Sequence, residues 1–93
     1  MYKITEYTKD QADELGVVVK PSTKKNKKID IFDKRDGQYI TSVGQLGYMD
    51  YPTYLKQYGR QIADKRREAY YKRFGKKAEK PYTNAFYAAK LLW

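Results

Sequence analysis

Apolar and polar positions change period along this chain, and the changes mark its elements. Tyr2 and Ile4 alternate with Lys3 and Thr5, which predicts a short N-terminal strand. Thr8 with Gln11 three positions on has capping-box spacing, and Gly16 is a natural helix stop, so a short helix is expected next. Val17-Val18-Val19 is a β-branched run ended by Pro21, which cannot donate to a strand ladder. Over residues 29–43, Ile29 and Ile31 alternate with Asp30 and Phe32, Arg35-Asp36-Gly37 supplies a turn, and Tyr39, Ile40 and Val43 lie on the return. That pattern predicts a β-hairpin.

The period then lengthens. Pro52, with a φ suited to a first helical turn, opens a segment in which Leu55, Tyr58, Ile62, Ala69, Tyr70 and Phe74 recur at three- and four-residue steps. A helix over 52–74 is predicted, with Gly59 and Ala63 allowing close packing and Gly75 as its stop. Lys56, Arg60, Lys65, Arg67, Lys72 and Arg73 fill the remaining circumference, so one face should meet the core and the other be basic. After a polar connection from Lys76 to Pro81, Thr83 or Asn84 can cap a closing helix over 83–93. Phe86, Ala89 and Trp93 fall on one side of it, and Tyr87, Leu91 and Leu92 on another. These elements predict a single α+β domain over 1–93. It would be a small antiparallel sheet with a long basic amphipathic helix packed against it and a C-terminal closing helix.

Composition narrows the chemistry. The 93 residues include no Cys and no His. Disulfide frameworks, thiolate zinc sites, Ser-His-Asp and Cys-His nucleophile systems and His acid–base catalysis are therefore excluded. A chain this size buries only about 60–65% of its unfolded surface, so a large enclosed active site is not expected. Asp30, Asp33 and Asp36 have a D-x-x-D-x-x-D spacing but lack the alternating ligands and distal Glu of a calcium loop, and a turn with a solvated strand face explains them. Gly44-Gln45-Leu46-Gly47 lacks the Lys-Ser/Thr ending of a P-loop. No metal, cofactor or catalytic residue is expected. No apolar stretch approaches the length of a membrane-spanning helix, so no membrane span is expected.

The formal charge is +9, and it is concentrated in two blocks. Residues 20–28 carry Lys20, Lys24, Lys25, Lys27 and Lys28 with no acid, and are expected to form a solvated basic arm that cannot pack inward. Residues 56–80 carry ten Lys and Arg against Asp64, Glu68 and Glu79. Arg offers a fork matched to phosphate. Lys24, Lys25, Lys27, Lys28, Arg60, Arg66, Arg67 and Arg73 are thus the candidate contacts to a nucleic-acid backbone, with DNA ahead of RNA and no base-reading motif. Alternatively the basic blocks meet an acidic protein surface. In that case Tyr87 and Trp93 are the candidate anchors on a partner.

Four stretches in order resemble small basic proteins encoded by large double-stranded DNA viruses of algae and protists. They are Lys20 to Lys28, Gly47-Tyr48-Met49-Asp50-Tyr51-Pro52-Thr53, Arg66-Arg67-Glu68-Ala69-Tyr70-Tyr71-Lys72-Arg73 and Leu91-Leu92-Trp93. The resemblance covers residues 20–93 and departs from the family pattern at Arg73-Phe74, where the family carries Arg-His. It implies a viral protein of the virion or infected-cell interior, without established enzymatic activity and with no catalytic residue. A minor capsid or cementing role on an acidic coat protein is the structural alternative.

Overall fold

The computed structural model describes residues 2–93. The fold is α+β, and the chain divides into two compact units, the first running through Tyr48 and the second spanning Met49–Trp93.

In the first unit the helix α1 (Glu6–Leu15) begins three residues earlier than capping-box spacing implied. The Thr5 hydroxyl accepts from the Thr8 N–H at 3.3 Å, so Thr5 is the cap, and Thr8 is fully buried. Residues 2–5 form no strand, because no chain pairs with their alternating pattern. Gly16 closes α1 at φ 73° in the left-handed region, as its position suggested. Three antiparallel strands follow in the order β1 (Val17–Pro21), β2 (Lys27–Asp33) and β3 (Tyr39–Gln45). The β2–β3 hairpin turns at Gly37, whose φ is 73°, with the Gly37 N–H on the Asp33 carbonyl at 2.8 Å.

Strand β2 is central, so both of its edges are paired. Ile29 and Ile31 pair with Val43 and Thr41 on β3 and with Pro21 and Val19 on β1, and both isoleucines are fully buried. On the other face Asp30 lies between Lys20 and Ser42 in register. Its carboxylate accepts from the Ser22 and Ser42 hydroxyls, each at 2.5 Å, and from the Thr23 N–H at 3.3 Å. Burial opposes its ionisation, but these donors and the Lys24 charge outweigh burial and hold the carboxyl below the usual aspartate range.

A carboxyl depressed on folding stabilises the fold above its unfolded pKa and loses that contribution as pH falls through the folded one. The part due to Asp30 should be complete above about pH 5 and drain away below about pH 4. Asp30→Asn should cost about 1–3 kcal/mol at pH 7 and flatten the acid limb of the stability profile. Urea midpoints for both proteins between pH 7 and 3 check this. Parallel profiles would mean that Asp30 is not the titrating group.

In the second unit the expected helix over 52–74 is two helices, α2 (Tyr51–Tyr58) and α3 (Arg60–Ala78). Asp50 caps α2, its carboxylate accepting from the Thr53 N–H at 3.0 Å. Gly59 separates the helices at φ 88° and ψ 172°. Gly75 does not stop α3, which continues to Ala78, because a glycine inside a helix costs only about 1 kcal/mol. The helix α4 (Asn84–Leu92) is capped by Thr83, whose hydroxyl accepts from the Phe86 N–H at 3.2 Å. Tyr51, Pro52, Ala63, Ala78, Tyr87, Ala89, Leu91 and Leu92 are the buried apolar residues of this unit. The stripe expected to face the core is largely outside it. Leu55, Tyr58, Ile62 and Phe74 are all exposed, and Ala63 and Ala78 carry the packing of α3.

Candidate nucleic-acid interface

Each unit holds one of the two basic blocks. In the first, residues 20–28 are no loose arm: Lys20 and Pro21 end β1, residues 22–26 turn, and Lys27 and Lys28 begin β2. The Ser22 N–H bonds the Lys28 carbonyl at 3.0 Å, the Leu46 N–H bonds the Asn26 carbonyl at 2.9 Å, and Asn26 takes a positive φ of 66°. Lys28 does pack inward, since only 4% of it is exposed and its ammonium lies 5.2 Å from the centre of the Tyr2 ring. A lysine can bury its long stem while its charge meets an aromatic face. Lys24 is held 4.6 Å above the Tyr39 ring. A hydrogen bond from Lys24 lowers the Tyr39 pKa, helped by Ser42, and the same bond raises that of Lys24. Tyr39 in turn bonds the Ser42 hydroxyl at 2.8 Å, which links the turn to Asp30. Of the four lysines singled out here, Lys25 and Lys27 remain exposed at the turn, Lys24 is exposed but tied to Tyr39, and Lys28 is withdrawn.

The four candidate arginines of the second unit divide in two. Arg60 and Arg67 share Asp64, at 3.7 and 3.6 Å. The Arg67 guanidinium also lies 4.0 Å over the Tyr51 ring, while the Tyr51 hydroxyl donates to Asp64 at 2.8 Å. That hydrogen bond, aided by burial, raises the Tyr51 pKa. Arg67 therefore belongs to the junction of α2 and α3. Arg66 and Arg73 lie elsewhere, at 5.6 Å over Tyr54 and 5.2 Å over Phe74, and both are exposed.

At 3.6 residues per turn, Arg66, Arg73 and Lys77 share one stripe of α3, and Lys65, Lys72 and Lys76 the stripe beside it. All six are exposed, and no carboxylate lies within the arc they span. Asp64, Glu68 and Glu79 fall outside it. Lys76 and Lys77 lie past the helix end that Gly75 predicts, so the sequence pattern does not place them on this face. As cations in the last turn they also suit the negative end of the helix dipole.

The two partner anchors also part. Tyr87 is 4% exposed and belongs to the interior, so it presents no surface to another protein. Trp93 is half-buried, stacked on Tyr70 with ring centres 4.6 Å apart and planes 9° from parallel. Asp30, Asp33 and Asp36 do not converge: Asp33 accepts from the Arg35 N–H at 2.8 Å and Asp36 from the Gln38 N–H at 2.9 Å, while Asp30 is buried with its serines. No helix among the described residues is long and apolar enough to cross a membrane. Comparison with protein-family models, curated proteins and solved structures finds no match to this chain.

Proposed function

We propose that the protein is a non-enzymatic nucleic-acid-binding accessory protein that contacts phosphates through α3. The observation that carries this reading is the arc of six exposed cations on α3 with no acid among them. Such an arc is a local field that salt bridges within the helix do not cancel, and its two arginines offer forks to phosphate oxygens. Lys25 and Lys27, exposed on the strand-linking turn of the first unit, add a second basic contact. Backbone binding needs no base-reading side chain. The proposed setting, in keeping with the resemblance to virus-encoded basic proteins, is a virion or an infected cell, with DNA ahead of RNA as the proposed partner.

Fluorescence anisotropy with a duplex of unrelated sequence, titrated across a salt series, tests the reading. Sub-micromolar binding near physiological salt is expected. With three to five phosphates neutralised, log K should fall against log salt with a slope of about −3 to −5. A second duplex should bind equally. Loss of all binding at modest salt would overturn the reading and leave an acidic coat-protein surface as the partner.

A further inference from the structure

The basic arc of α3 is bordered by aromatic rings that the phosphate reading does not use. Tyr58, Tyr54, Trp93, Tyr70 and Phe74 form one continuous series, with successive ring centres 6.1, 6.1, 4.6 and 5.1 Å apart. Its middle members are half-buried and hold α2, α3 and the residue after α4 together. Its two ends are open, Tyr58 being 55% and Phe74 37% exposed. Arg66 lies over Tyr54, next to one open ring, and Arg73 lies over the other.

We infer that this edge is a base-stacking site, and that the favoured ligand of the second unit is a single strand whose unpaired bases lie on Tyr58 and Phe74. The inference rests on the nucleic-acid reading of α3 and deepens it. A phosphate-binding face alone has no use for open rings, and an exposed aromatic left in water gains nothing. Unpaired bases have apolar faces that a duplex keeps stacked internally, so rings beside arginines discriminate single strands from double ones. The anchored middle of the series holds the end rings in place, which lowers the ordering cost of binding.

Three ligands separate the terms: an oligodeoxythymidylate of about 12 nucleotides, an abasic strand of equal length with the same phosphates, and a duplex. At one salt concentration the thymidylate should bind about tenfold tighter than the abasic strand. Tyr58→Ala and Phe74→Ala should each erase most of that difference, while Tyr58→Phe and Phe74→Tyr keep it. Both positions are exposed, so the variants should fold, and thermal melting confirms it. Equal affinity for the thymidylate and abasic strands, or alanine variants that retain the preference, would overturn stacking while leaving phosphate binding intact. Failure of all three ligands to bind would overturn both readings.

Discussion

Reversing the charge at Arg66 and Arg73 together should lower affinity for a duplex by about a hundredfold near physiological salt. Each lost phosphate contact removes a factor of about five through counterion release, and each new carboxylate adds repulsion. The fold should survive, because both arginines are exposed and their ring contacts are worth only about 0.5–1 kcal/mol each. Arg67→Glu, one position along the helix, should behave in the opposite way. It would set a carboxylate beside Asp64 and take the guanidinium off the Tyr51 ring, which lies 4.0 Å away. A cost of about 1–3 kcal/mol is expected, with a visible fall in Tm. Anisotropy and thermal melting on the three proteins decide the matter. A folded double variant that binds like wild type would remove α3 from the interface.

The different surroundings of the neighbouring Arg66 and Arg67 show where sequence reading stops. Most local signals were legible, the Thr8 cap and the Gly75 stop excepted. The Gly16 stop, the β-branched run before Pro21, the turn at Gly37 and the Thr83 cap each depend on backbone chemistry within a few residues, and each is found where the pattern placed it. The α+β class follows from them. Signals that depend on distant partners were not legible. Arg66 and Arg67 look alike in sequence, and only the return of Tyr51 alongside α3 commits one to structure and leaves the other exposed. Lys28 reads as a solvated charge until Tyr2 is found against it. The stripe from Leu55 to Phe74 has the period of a buried face, yet a continuous period assumes a continuous helix. Once the helix breaks, residues on either side of the break no longer share a face.

That break rests on Gly59, and Gly59→Ala is the substitution expected to disturb this unit most without removing an interior side chain. A φ of 88° with ψ of 172° is a region essentially confined to glycine, and other residues pay about 1–3 kcal/mol to occupy it. A β-carbon at this position would meet no atom within 4 Å, so the penalty is backbone strain and not a clash. Alanine relieves the strain by turning helical, which the sequence on both sides permits, and α2 would then run straight into α3. Straightening would carry Tyr51 away from Asp64 and Arg67, and Tyr54 away from Trp93. Tm should fall by roughly 5–20 °C, the far-ultraviolet helical signal should hold or rise, and the near-ultraviolet signal of Trp93 should weaken. Chemical synthesis supplies the decisive control. D-Alanine at position 59 has its ordinary extended region at positive φ, so it should restore both Tm and the Trp93 signal. A wild-type Tm for Gly59→Ala, or equal damage from D-alanine, would show that the helix break is held by something other than this glycine.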